Sequence, residues 1–365
     1  MKIPLAKPIF DEEMKKAALD ALENERFVMG ESVFKFEEEF AKYCGTDYAV
    51  SVSSGTQALQ FSLMAVGIKS GDEVLTTPLS FIATANAALH AGGMPKFADI
   101  DRKTLTIDSL LVEKGVGAKT KAIIPVHIFG HPADMASILD IAKRRNLRVI
   151  EDACQAHGAT YEGRRVGSFG DVGCFSFYPS KNMTVCGDGG MAVTNDKKIA
   201  TIIAKLRDCG RASHYEHDIV GFTARLNTVS AAIGRVQLRR LDEWNERRRS
   251  HAKLYDQLLS DIKGITLPPN GESHSKPVYH LYVIRTKRRD YLKEWLEKNG
   301  IQCGIHYPLP IHLQPIYQEM FGYNNGDFPE AESHCKEALS LPMYPELTES
   351  DVRFISDKVH EYVQQ

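Results

Sequence analysis

Residues 121–152 read KAIIPVHIFGHPADMASILDIAKRRNLRVIED: an apolar strand pattern at 121–126, a helix pattern at 134–145 and a second apolar strand pattern at 147–152. Helical periodicity between two short apolar runs is the mark of a strand–helix–strand unit. Upstream the alternation continues. A strand at 48–52 leads to a helix carrying Ala58, Leu59, Leu63 and Val66, a strand at 73–76 to a helix at 81–91, and a strand at 96–99 to a helix at 108–114. Elements alternating at these lengths imply an α/β fold with a large, mostly parallel sheet sandwiched by helices.

Around this centre the chain divides. Residues 1–10 hold two prolines and read as an extended arm, followed by helices at 11–24, with Met14, Ala17, Ala18 and Leu22 on one stripe, and at 33–43, with Phe36 and Phe40 four apart. Downstream come a helix at 197–209, a polar loop with His214 and His217, and a long helical pattern at 228–259 whose arginine-rich section reads as a solvated face with paired charges. The run LPPNGESHSKP at 267–277 marks a linker-like turn. Beyond it a strand at 278–285, a helix at 291–299, a strand at 301–305, a proline-rich loop at 306–317 and helices at 330–339 and 350–365 predict a smaller α/β unit. The expected division is 1–260, a large unit with its N-terminal arm, and 261–365.

The chain has 365 residues and a formal net charge of −2, with acids and bases interspersed, so neither nucleic acid nor an anionic membrane is an expected partner. Seven cysteines without a CxxC spacing read as reduced thiols, which points to the cytoplasm. The N-terminal segment lacks the apolar core of a signal peptide and no run of apolar residues is long enough to span a membrane. The expected partners are small molecules.

The chemistry concentrates at 151–196, EDACQAHGATYEGRRVGSFGDVGCFSFYPSKNMTVCGDGGMAVTND. Lys181 follows the apolar run Phe175-Ser176-Phe177-Tyr178-Pro179 instead of lying on a polar helix face, where most lysines are. Asp152 and Gln155 end an apolar strand, on the side where open parallel sheets bind ligands. A carboxylate there can orient a histidine, bind a metal, hold a protonated ring nitrogen or simply cap the following turn. Ser53-Ser54-Gly55-Thr56 joins a strand to a helix, which makes it a phosphate cradle or a plain N-cap. No cluster has metal-ligand spacing and no GxSxG elbow occurs, the run 115–120 lacks the glycine a P-loop needs before its lysine, and 187–190 lacks dinucleotide spacing. A phosphate cradle, a strand-end aspartate and a lysine after a serine-bearing strand together point to a cofactor with a phosphate, a basic ring nitrogen and an aldehyde, which is pyridoxal 5'-phosphate.

The sequence also resembles the DegT/DnrJ/EryC1/StrS sugar aminotransferases nearly end to end, through FVMGESVFKFEEEFAKYCG, SVSSGTQAL, GDEVLTTPLSFIATANAAL, KTKAIIPVHIFGHPADM, EDACQAHGA, FSFYPSKNMT, AAIGRVQLRRLDEWNERR, HYPLPIHLQPIY and LSLPMYPELT. The resemblance implies the aspartate-aminotransferase-like fold, type I among pyridoxal-phosphate enzymes. It makes Lys181 the catalytic lysine joined to the cofactor, Asp152 the partner of the ring nitrogen and Gln155 the contact to the ring hydroxyl. Gly55, Thr56 and Ser176 match the phosphate binders, and Phe81 the aromatic stacked on the ring, with a core aromatic as its other reading. A partner subunit commonly supplies an asparagine to the phosphate from a G-x-N-x-R segment. Here that segment is Gly221-Phe222-Thr223-Ala224-Arg225, so Thr223, or Asn227 one helical turn on, stands in its place.

His306, Tyr307 and His312 fall where the family places substrate-facing residues, or else they pack the loop; His127 and His131 pose the same choice. Arg225 and the arginines after Trp244 are candidates for an anionic substrate. The implied reaction moves an amino group from an L-amino acid, glutamate in most of the family, through pyridoxamine phosphate to a keto group of a nucleotide-linked deoxyhexose. The amino sugar would serve glycan, lipopolysaccharide or glycosylated-metabolite biosynthesis, and the expected assembly is a homodimer with shared active sites. Two alternatives are a dehydratase of the same family, whose members usually carry histidine in place of this lysine, and a non-catalytic regulatory protein on the same fold.

Overall fold

The computed structural model describes residues 2–271 and 274–364, so the turn predicted at 267–277 and the helix predicted to 365 each lie partly outside the described residues. Among these residues the strands are, in chain order, β1 Tyr48–Val52, β2 Glu73–Thr76, β3 Met94–Phe97, β4 Thr120–Ile123, β5 Arg148–Asp152, β6 Thr160–Tyr161, β7 Arg164–Arg165, β8 Val172–Ser176, β9 Gly190–Thr194, β10 Ser275–Lys276, β11 Tyr282–Arg285 and β12 Ala338–Leu341. Seven of them form one sheet in the order β1-β9-β8-β5-β4-β2-β3. The run from β3 to β8 is parallel, whereas β9 is antiparallel to both β8 and β1. A parallel return needs a crossover of a dozen or more residues, usually a helix. The connection 177–189 has no helix, and the chain therefore turns back beside β8, with Lys181 in the turn.

Both sheet faces are covered, which is why the adjacent residues Val149 and Ile150 of β5 are both apolar and both buried. Val149 points into a core with Phe36, Phe40, Phe175 and Phe177, and Ile150 into a second core with Leu59, Phe61 and Val172. In the first core Phe40 meets Phe175 edge-on, with ring centroids 5.0 Å apart. Such pairs add about 0.5–1.5 kcal/mol to the burial of their area. The helices at the N-terminal side form as their stripes predict, Glu12–Asn24 starting at Asp11, whose carboxylate accepts from Glu13 N and Met14 N.

The helix Thr228–Leu259 has the predicted bounds, but its arginine-rich section is not uniformly solvated. Arg247 and Arg249 pair with Glu243 and Glu246, whereas Arg248 is buried and donates to the carbonyls of Tyr279, His280 and Met343. Its position explains this, for Arg248 lies on the same stripe as Leu241, Trp244, Ala252 and Tyr255, all buried. With no carboxylate partner among the described residues, its guanidinium is pushed by burial down to about 9.

The last turns of that helix belong to a third core, in which Tyr255 and Leu259 meet Tyr282, Leu296, Ile355 and Val359. Ile3 joins it from the N-terminal arm. The predicted strand at 301–305 is reduced to isolated bridges, Ile3 to Ile301 and Gly304 to Ser340. The helix predicted at 330–339 stops at Glu337 and gives way to β12, which pairs antiparallel with β11. Asp99, just past β3 and distant in sequence, caps that helix, its carboxylate accepting from Glu330 N and Ala331 N. Among the described residues no helix is long and apolar enough to cross a membrane.

Candidate active site

A cavity of about 510 Å³ opens at the carboxyl ends of the central strands and gathers nine of the predicted residues: Gly55, Thr56, Phe81, Asp152, Gln155, Ser176, Lys181, His306 and Tyr307. Parallel strands direct successive side chains to opposite faces, and β5 uses this at its end. Glu151 turns away from the cavity and is buried, accepting from the backbone N–H groups of Gly167, Phe169 and Gly170 and meeting His127 Nε2 at 3.0 Å. Asp152 turns into it. One oxygen accepts from Thr84 Oγ1 at 2.7 Å and the other from Cys154 N at 3.2 Å, which fixes the carboxylate before any ligand arrives.

Gln155 is equally fixed. Its Oε1 accepts from Phe129 N at 2.9 Å and its Nε2 donates to the Tyr307 hydroxyl at 3.1 Å, so the loop after β5 and the proline-rich loop meet at one amide. Burial pushes the Tyr307 phenol up, leaving it a neutral donor and acceptor. The Phe81 ring is more than half exposed and lies 6.2 Å from the Tyr307 ring, with a face available to a flat ligand. His306 Nδ1 is 2.8 Å from Ser340 Oγ, and burial, helped by Lys181, pushes this histidine down to about 4, so it is neutral near pH 7.

At the other end of the cavity the helix Gly55–Ala65 begins. The first N–H groups of a helix have no intrahelical acceptor. Ser54 takes those of Gln57 and Ala58, leaving those of Gly55 and Thr56 for a ligand. Gly55 must be glycine here, because a Cβ would come within 2.6 Å of Ser176 Cβ and 2.9 Å of Cys154 Sγ. Lys181 is half-buried, and its amine has no hydrogen-bond or ion-pair partner among the described residues. Burial holds the amine below its ordinary value, against the pull of Cys154 and Asp152.

These features fit pyridoxal phosphate. An anion-binding helix terminus, a fixed carboxylate and an unpaired, desolvated amine line one cavity, which matches a ligand with a phosphate, a basic ring nitrogen and an aldehyde.

The remaining predicted residues lie elsewhere on this chain. Thr223 is exposed with its hydroxyl 3.4 Å from Cys209 Sγ, Asn227 caps the helix Thr228–Leu259 through Ser230 N, and Arg225 pairs with Asp208. His312 is fully buried and bonds Glu332 through Nε2 at 3.0 Å, so the loop-packing alternative describes its place. His127 is also a packing residue, since its Nδ1 accepts from Ala133 N while Nε2 faces Glu151. His131 lines a different cavity. Sequence reasoning missed Thr84, His280, Leu5 and Ala6, all in the cavity wall. Thr84 is buried on a short helix that holds it for Asp152, and no local pattern distinguishes it from a packing threonine.

Residues 8–360 match the profile of the DegT/DnrJ/EryC1/StrS aminotransferase family. A pleiotropic regulatory protein of Geobacillus stearothermophilus is 42% identical over 351 residues, covering 96% of this chain and 94% of that protein. The dTDP-3-amino-3,4,6-trideoxy-alpha-D-glucose transaminase of Streptomyces venezuelae is 41% identical over 352 residues, covering 96% and 92%. Among solved structures, S. venezuelae DesV in complex with a ketimine intermediate superposes with a TM-score of 0.96 at 39% identity, covering 100% of this chain and 99% of that one.

Proposed function

The chain belongs to the DegT/DnrJ/EryC1/StrS aminotransferase family and is a pyridoxal-phosphate-dependent transaminase, and from that premise we propose that its acceptor is a keto deoxyhexose carried on a nucleotide and its donor an L-amino acid, glutamate first. The observation that carries the acceptor class is the near full-length relationship to a dTDP-sugar transaminase.

When bound, the cofactor supplies an aldehyde for imine exchange and a cationic ring that accepts electrons from the substrate α carbon. The protein's part follows from its own side chains. Lys181 Nζ would hold the cofactor and, freed by the donor amine, would carry the proton from the donor's α carbon to the cofactor carbon. An amine kept below its ordinary value is neutral more often and so is fit to act as that base. Asp152, held by Thr84 and Cys154 N, keeps the proton on the ring nitrogen. Gln155 orients the ring through its hydroxyl, Ser176 with Gly55 and Thr56 holds the phosphate, and Phe81 covers one ring face. His306 and Tyr307 meet the substrate. In the second half-reaction Lys181 would carry a proton the opposite way, onto the sugar carbon that receives the amino group.

In this reading residues 1–260 carry the cofactor and 261–365 close the cavity through His306 and Tyr307. A second copy of the chain completes the site. Exposed apolar side chains on and beside the N-terminal helices, Leu19, Leu22, Phe27 and Phe34, support such a contact, as do Tyr215 and Val220 on the loop before Thr223. Thr223 or Asn227 of that copy would then reach the phosphate. The presence of Asp152, Gln155, Ser176 and Lys181 in one cavity favours catalysis over a purely regulatory role, and a lysine at 181 favours transamination over dehydration.

The test is a coupled assay with glutamate against a panel of 3-keto and 4-keto nucleotide sugars, reading 2-oxoglutarate. Turnover with one class is the expected result; no 2-oxoglutarate with any member would refute the proposal.

A further inference from the structure

Leu5 and Ala6 line the cavity, although they lie far in sequence from every residue placed around the cofactor. Their position is built. Ile3 N donates to Gly300 O and Gln302 N to Ile3 O, each at 2.9 Å, Met343 N donates to Leu5 O at 3.1 Å, and the Lys7 ammonium is 2.6 Å from the Glu346 carboxylate. The Leu5 side chain packs closely on the loop that carries His306. A Cβ on Gly304 would meet Leu5 Cδ2 at 2.7 Å and His306 Cε1 at 2.8 Å. The N-terminal arm and the proline-rich loop are therefore one continuous wall.

The cavity lining has two kinds of chemistry. Gly55, Thr56, Asp152 and Ser176 suit the cofactor, whereas Leu5, packed near His306, and Ala6 offer only apolar surface. A substrate bound beside the cofactor shares the cavity of about 510 Å³ with the arm residues that line it.

The geometry points to the N-terminal arm as a specificity element for the acceptor: Leu5 and Ala6 form the apolar side of the sugar subsite and select among hexoses by size, an inference that rests on the nucleotide-sugar reading above. Short apolar side chains suit the deoxygenated face of such a sugar, where a hydroxyl would lose its hydrogen bonds to water without replacement. The arm is a positioning and selecting surface with no proton to move, so it should act on one half-reaction only.

That asymmetry is the test. In the full-length enzyme, Ala6→Trp should raise KM for the keto nucleotide sugar by about tenfold or more, because it removes room that the acceptor needs. Cofactor retention and the single-turnover rate with glutamate, followed by the cofactor's absorbance, should stay within about twofold of the unsubstituted enzyme. Leu5→Ala should bring kcat/KM for larger and smaller hexoses closer together. Equal loss in both half-reactions, or no change in sugar KM with Ala6→Trp and no change in discrimination with Leu5→Ala, would overturn the inference. Should Ala6→Trp fail to fold, Leu5→Ala decides alone. If the unsubstituted enzyme turns over no nucleotide keto sugar, the acceptor reading itself falls and this inference with it, a failure seen before any variant is made.

Discussion

Lys181 carries the heaviest prediction of any single residue. Among the described residues its amine has no hydrogen-bond or ion-pair partner, so Lys181→Ala should leave the fold intact while removing both nucleophile and base. Turnover should fall by at least about a thousandfold, in the range for loss of a catalytic proton carrier. The visible absorption band of lysine-linked pyridoxal phosphate should disappear as well, whereas circular dichroism should be unchanged; a variant that keeps the band would remove Lys181 from the chemistry. Lys181, Asp152 and Ser176 were legible in the sequence because each sits at or just past the end of an apolar strand, where a polar residue is conspicuous. Thr84, Leu5 and Ala6 were not, because what brings them to the cavity is packing between elements distant in sequence. His312 shows the converse. A histidine among prolines looks functional in one dimension, yet this one is fully buried outside the cavity with its Nε2 bonded to Glu332.

Among the elements, the parallel strands were readable because alternation with helices dictates them, and β9 was not, because the connection 177–189 is long enough for a crossover yet forms no helix. β12 was likewise hidden inside a helical pattern, since Ala338–Leu341 forms a strand only by pairing with β11. The helix Pro329–Glu337 depends on a distant cap in the same way. Asp99, itself buried, receives Glu330 N and Ala331 N along with Ile100 N. Asp99→Ala leaves those donors unmet and should cost about 2 kcal/mol or more. Asp99→Asn, which keeps an acceptor, should cost less. A thermal melt of the two variants checks the order, and equal melting temperatures for Asp99→Ala and the unsubstituted chain would refute the cap's importance.

For the whole molecule, histidines kept neutral by burial shape the response to acid. Burial pushes His157 and His334 down to about 3, His131 and His306 down to about 4, and His280 well below its ordinary value. Once unfolded, each takes its proton near the ordinary value of 6.5. Between pH 6.5 and about 4 the unfolded chain therefore binds more protons than the folded one, and stability falls as pH falls through that window. Above about pH 7 these groups are neutral in both states and contribute no slope. The urea midpoint should be flat from pH 7 to 8 and drop steadily from 6.5 to 5, above the range in which most carboxylates protonate; a midpoint that rises on acidification to pH 5 would contradict this.

The helix Thr228–Leu259, about 48 Å long at 1.5 Å per residue, begins beneath the main sheet and ends inside the C-terminal core. Its consequence is for recombination. A seam between homologues at residue 260 would bring in a foreign C-terminal half while keeping Ala252, Tyr255 and Leu259 of the resident one, three side chains shaped for a core they no longer meet. A junction ahead of Asn227 would transplant rod and core together, but would strand Ile3, which fills the same core from the opposite end of the gene. Exchange of substrate preference between relatives is thus a three-piece graft, in which the first ten codons travel with the last hundred and forty.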